Sequence, residues 1–168
     1  MTTPKFSKQI NKVTESIGAA ISWLTLLMVV TMTLVVVLRY GFSLGWIWLQ
    51  ESVLYMHAFV VMLAMSYTLM HDKHVRVDVF YRNFSPVKQK RVNLFGHLFF
   101  LIPTCLFMLF MSWGYVAQSW SILEASQEAG GLPLLFFLKS LLIATPILLI
   151  FQAASEILLL VLDKGDEA

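Results

Sequence analysis

Charge is scarce in this 168-residue chain. Asp, Glu, Lys and Arg together make up 13%, about half the ~25% usual in soluble domains. So little charge cannot coat a globule in water, which excludes an ordinary soluble enzyme. With 58% hydrophobic residues the chain is not disordered either. Cysteine is nearly absent: Cys105 stands alone, so no internal disulfide forms, and no Cys/His cluster has zinc-type spacing. Internal repeats are lacking, so one chain is not an inverted-repeat transporter. Period-2 alternation is missing from the apolar runs, which excludes a transmembrane β-barrel. The net charge of +2 is not spread over a soluble face, so no nucleic-acid partner is implied.

What the chain has instead is long apolar stretches. Ile17 to Leu38 carries no charge and measures about 33 Å as a helix, enough for a hydrocarbon core of ~30 Å. Ser52 to Met70 is a second such run, with His57 its only titratable group. Val92 to Leu123 is uncharged and too long for one perpendicular helix, so the third span is drawn to Ala117, before Gln118, Ser119 and Ser121. Leu132 to Leu162 is the fourth, holding Lys139 near its start and Glu156 near its end, where a side chain can snorkel or pair inside a bundle. The expectation is one all-α membrane domain over residues 1–168 with spans 17–38, 52–70, 92–117 and 132–162.

Ten of the 12 Lys and Arg residues lie in the N-terminal tail, the segment between spans two and three, and the C-terminal tail. Four spans put these three segments on one side, and the positive-inside rule makes that side the cytoplasm. Both termini are therefore expected inside. The first run is too long for a signal-peptide core and has no small-x-small cleavage site after it, so it reads as a retained signal anchor.

The connections carry the remaining information. Tyr40 to Gln50 holds Trp46 and Trp48, rings suited to a membrane interface. Arg39 closes the first helix and Glu51 opens the second, each favoured there by the helix dipole. They either pair across the helix ends or stand as independent end charges. Between spans two and three, residues 74–79 alternate polar and apolar, and Ser85-Pro86 reads as a helix start. A short interfacial element at the inner leaflet is expected there, with Lys88, Lys90 and Arg91 free to touch anionic membrane lipid. Asn83-Phe84-Ser85 matches a glycosylation sequon but is followed by Pro and faces the cytoplasm. Gly130-Gly131-Leu132-Pro133 turns the chain into span four, and Pro103 and Pro146 bend their helices, as hinges or as plain bundle geometry.

No span carries a carboxylate at mid-depth, so the chain alone is poorly equipped to move an ion or charged solute. A four-span proton-coupled exporter would need an acid in its first span, and there is none. The alternative is a haem or quinone anchor subunit of an oxidoreductase. His57 and His97 lie on neighbouring helices but differ in depth by roughly 15 Å, too far to share one iron.

Arg39-Tyr40 at the end of span one, Trp48 with Glu51 opening span two, and the later His74-Val75-Arg76-Val77-Asp78 form a pattern. It resembles the small membrane subunit, DctQ-type, of tripartite ATP-independent periplasmic (TRAP) transporters. Glu124-Ala125-Ser126 with Gly130-Gly131-Leu132-Pro133 and Lys139 is similar to the branch associated with monocarboxylate, 2-oxo-acid or aromatic-acid uptake. The resemblance implies a multi-pass protein of the bacterial inner membrane that is not an enzyme. It would scaffold a large transport subunit and help dock a periplasmic substrate-binding protein, in a sodium-driven symport of an organic acid. Arg39, Trp48, Glu51, His74, Arg76 and Asp78 are then the subunit-interface candidates, and Glu124 and Glu128 the periplasmic-partner candidates. No cofactor is expected here, and sodium is expected in the large subunit.

Overall fold

A computed structural model of the chain describes residues 4–74 and 81–162. The described residues form α1 (Lys5–Gly41), α2 (Ile47–Met70), α3 (Pro86–Gly96), a single π-helical turn (His97–Leu101), α4 (Ile102–Ser121), α5 (Leu135–Lys139) and α6 (Leu141–Leu162). Among the described residues, four stretches are long and apolar enough to cross a membrane: Lys5–Gly41, Ile47–Met70, Pro86–Ser121 and Leu135–Leu162. The first three contain the span expected from the sequence, and the fourth starts at Leu135, three residues after the expected Leu132, because the turn before it takes up residues 132–134. Most extend it, because a helix stops where capping ends it and not where hydropathy falls.

α1 shows this most clearly, at about 55 Å from ~1.5 Å per residue. Inside its apolar run the hydroxyls of Ser22, Thr25, Thr31 and Thr33 each donate to the carbonyl four residues earlier. That back-bonding satisfies them within their own helix, as a lipid environment demands. α2 closes at His71 in a Schellman-type turn. Asp72 takes a left-handed φ of 52°, its N–H donates to the Leu69 carbonyl, and the Lys73 N–H donates to the Thr68 carbonyl at 2.9 Å.

α3 begins as the sequence indicates: the Ser85 hydroxyl accepts from the Lys88 N–H and Pro86 occupies the first turn. It continues through the π-helical turn into α4 without a break. The turn lies next to Pro103, whose missing N–H weakens the local ladder and accommodates the extra residue. Gln118 and Ser121 do not end α4 early, because the Ser121 hydroxyl bonds the Gln118 carbonyl. Pro146 lies inside a continuous α6 and is buried, so it serves packing geometry.

α6 is the central helix. It touches α1, α2 and α4, and 33% of its most apolar window is buried against 6% for each other span. Its start is joined to the end of α4 by the Trp120 indole N–H donating to the Ser140 hydroxyl at 2.8 Å, and its end lies against the start of α1. All four spans therefore alternate in direction. The interior is built largely from small polar groups and a few apolar ones such as Ile21, Cys105, Leu149 and Ala153, while large apolar side chains such as Trp23, Phe107, Phe110 and Trp113 face outward. Outward apolar groups and close small-residue packing suit a bundle in lipid.

Candidate functional site

Two ends of the bundle matter: the terminal end, where α1 begins and α6 finishes, and the loop end, where residues 42–46 and 122–134 connect helices. At the loop end Glu51 is the organising side chain. It sits in the first turns of α2, and its carboxylate reaches residues more than seventy positions away. One oxygen accepts from the Ser126 hydroxyl, and the other accepts from the Leu132 backbone N–H at 2.6 Å. A charged acceptor on a backbone N–H makes a strong hydrogen bond. Ser126 Oγ in turn accepts from the Glu128 N–H at 3.2 Å, and the Ser126 N–H donates to the Leu132 carbonyl at 3.0 Å. The loop thus closes on itself around one carboxylate.

Gly131 is required for that closure. A Cβ at this position would lie 2.5 Å from Ser126 Oγ and 2.8 Å from Glu51 Oε2. Its neighbour Gly130 supplies the left-handed conformation at φ 81°.

A second fastening lies beside the first. Lys139 Nζ donates to the Glu124 carboxylate at 2.5 Å and sits 4.0 Å from the centroid of the Tyr115 ring. The Trp120 ring meets Phe136 edge-on at 4.7 Å. The bond to the Lys139 ammonium holds the Glu124 carboxyl below the ordinary carboxylate range. A lowered folded-state pKa means the pair is fully formed above the ordinary carboxyl range and is lost as pH falls through the lowered value. The Glu124 side-chain ¹³C shift is therefore expected to titrate with an acid-displaced midpoint. Lys139→Met is expected to move that midpoint upward, and an unchanged midpoint would refute the pairing.

At the terminal end α1 and α6 are joined by a buried polar chain. The Thr14 hydroxyl donates to Gln152 Oε1 at 2.9 Å. Gln152 Nε2 donates to Asn11 Oδ1 at 3.2 Å and to Glu156 Oε1 at 3.0 Å. The Ser155 hydroxyl bonds Asn11 Oδ1 at 3.2 Å, and Ser7 and Ser155 share a hydrogen bond at 2.7 Å. Gln152 and Ser155 are wholly buried. Alongside, α1 meets α2 where Gly18 lies under the Tyr67 ring, that ring packs on His71 at 4.4 Å, and His71 Nε2 lies 3.3 Å from Glu15.

The residues singled out by sequence fall as follows. Glu51 is half-buried and engaged by the loop; Arg39 is not among its partners and stands exposed in the last turn of α1, so these two act as separate end charges. Trp48 is exposed and stacks on Trp46 at 6.2 Å between centroids. His74 Nε2 lies 3.0 Å from the Met65 carbonyl; a carbonyl only accepts, so this nitrogen carries the proton and the ring caps the end of α2. Arg76 and Asp78 lie outside the described residues. Glu124 is taken by Lys139, and Glu128 is exposed. The two histidines considered for iron are placed apart in kind: His57 faces outward from α2, and His97 sits in the π-helical turn.

Sequence reasoning did not foresee Ser126, Leu132 and Gly131 as the counterparts of Glu51, nor the Asn11–Gln152–Ser155 chain. The signals present were the Gly130-Gly131 pair for the first and the spacing of Ser7, Asn11, Thr14 and Gly18 for the second, which is one helix face.

Neither the curated proteins nor the solved structures offer a significant match. The family model described as tripartite ATP-independent periplasmic transporters, DctQ component, matches residues 28–163, a stretch that includes Glu51, Ser126, Gly131, Leu132 and Lys139. The chain belongs to the DctQ family, the small membrane subunits of TRAP transporters.

Proposed function

We propose that the chain scaffolds the large membrane subunit of a sodium-driven organic-acid uptake system and helps dock the periplasmic substrate-binding protein. In this reading both termini and the segment between α2 and α3 are cytoplasmic, where that segment contributes a surface-lying element, in a bacterial inner membrane. The loop end then faces the periplasm and presents Glu128 from a fastened loop. The chain binds no cofactor, and sodium is held by the large subunit. Arg39, Trp48, Glu51, His74, Arg76 and Asp78 remain the candidates for contact with that subunit, with Glu51 acting through the loop it holds.

One observation carries the scaffold role. Three charged side chains within or at the ends of the spans take their partners from this chain: Glu51 from Ser126 and Leu132, Lys139 from Glu124, and Glu156 from Gln152. Groups committed to each other fix a framework and are not poised to exchange ligands. An oxidoreductase anchor gains no support from the family match.

The test is uptake of a labelled organic acid into vesicles under an inward sodium gradient. The large subunit with the binding protein is expected to transport only when this chain is co-reconstituted. Full-rate transport by the large subunit alone, or transport by this chain alone, would overturn the proposal.

A further inference from the structure

The first turns of α1, ahead of its charge-free run, have three distinct faces. Ser7, Asn11 and Thr14 form the buried stripe against α6. Phe6, Ile10 and Val13 form a second stripe at the same helical spacing. Phe6 and Val13 are 48% and 54% exposed. Lys5, Lys8 and Lys12 form the third, all exposed, with no acidic residue in that first turn.

Depth decides what covers the apolar stripe. The Ser7–Ser155 hydrogen bond fixes α1 against the antiparallel α6. α6 then runs on from Ser155 to Leu162, about 10 Å further toward the terminal end at ~1.5 Å per residue. Beyond Glu156, whose carboxylate accepts from Gln152, that continuation is Ile157-Leu158-Leu159-Leu160-Val161-Leu162, with Val161 59% and Leu162 49% exposed. The apolar surface of the bundle therefore extends past the level at which α1 begins, and the Phe6–Val13 stripe lies within that layer. An apolar face flanked by lysines at this level matches an acyl boundary topped by anionic headgroups.

We propose that the first turns of α1 are seated in the bilayer interface. Phe6, Ile10 and Val13 contact acyl chains, and Lys5, Lys8 and Lys12 bind the phosphates of anionic phospholipid. The polar stripe on α6 then lies in a low-dielectric setting, which strengthens the Asn11–Gln152 contacts. The inference does not depend on which side of the membrane the termini occupy, so its failure is distinct from a failure of the scaffold proposal.

The test attaches a bimane probe to the full-length protein at Phe6→Cys, Val13→Cys or Gln9→Cys, in a Cys105→Ala background whose helicity matches the parent. Each is reconstituted in phosphatidylcholine vesicles carrying brominated phosphatidylglycerol or, at equal bromine, brominated phosphatidylcholine. Probes at 6 and 13 are expected to be quenched more than the probe at 9. Quenching at 6 and 13 is expected to be about twofold stronger with the anionic lipid. Lys5, Lys8 and Lys12 changed together to Gln should bring that ratio to one while quenching by phosphatidylcholine persists. Probes at 6 and 13 shielded from both lipids would mean that protein or water covers the stripe, and the proposal fails. A ratio of one with the lysines intact also overturns it.

Discussion

Replacing Glu51 by alanine is expected to release the 124–134 loop while leaving the four helices in place. The substitution strips the Leu132 N–H and the Ser126 hydroxyl of a charged acceptor. Both donors are part-buried, so the loss costs about 1–2 kcal/mol, the lower part of the range for an unpartnered buried donor, which is roughly a five- to thirtyfold rise in local opening. Amide exchange at Leu132 is the direct reading, because its N–H is the one the carboxylate holds. Gly131→Ala attacks the same closure from the other side, since its Cβ would meet Ser126 and Glu51 at once. Glu51→Gln keeps an acceptor but loses the charge, so it should fall between wild type and alanine. The loop should open in the order wild type, glutamine, alanine. Exchange at Leu132 that is unchanged in Glu51→Ala would show that the carboxylate does not hold the loop.

The same substitution separates two roles for Glu51. A side chain that contacts the large subunit directly would lower complex formation without altering the isolated chain. A side chain that shapes the loop would raise Leu132 exchange in the isolated chain first. The hydrogen bonds favour the second order of events, and Gly131→Ala, which crowds Ser126 and Glu51 while leaving residue 51 a glutamate, should reproduce it.

The spans were legible in the sequence because hydrocarbon imposes one strong rule over some twenty consecutive residues, and Ile17–Leu38 or Ser52–Met70 satisfy it visibly. The start of α3 was legible for a local reason, as Ser85 and Pro86 place a cap and a helix-compatible φ side by side. The loop closure was not, because Glu51 and Leu132 are 81 positions apart and helix-end dipoles alone make Arg39 an equally reasonable partner. The segment Lys5–Ser16 reads as a charged tail when its composition is averaged. Its helical role appears only when Ser7, Asn11, Thr14 and Gly18 are placed on one face, with Phe6, Ile10 and Val13 beside them. Glu124 reads as a free surface acid for the same reason: its partner, Lys139, belongs to the next helix.

The largest packing effect is expected at Gly18. A Cβ there would lie 2.2 Å from Cδ2 and 2.5 Å from Cε2 of Tyr67, well inside van der Waals contact. Swinging the ring away would cost its packing on His71 at 4.4 Å, beside the exposed His71–Glu15 contact. Gly18→Val should therefore push α1 from α2, at a cost of about 3 kcal/mol, the upper part of the overpacking range. The displacement would propagate along α1, since Thr14 lies one turn away and its bond to Gln152 fixes the helix against α6. Tyr67→Ala alone should lose the ring's contacts and destabilise as well. In combination the two should destabilise less than their sum, by an interaction of about 1–3 kcal/mol, because the smaller residue vacates the space the valine needs. Unfolding of all four proteins in a graded SDS series provides the cycle. Strict additivity would mean that α1 and α2 do not depend on this contact for their register. A rescued double variant that also recovers protection of the Gln152 side-chain amide would tie the Gly18–Tyr67 packing to the buried polar chain, making the terminal end a single cooperative unit.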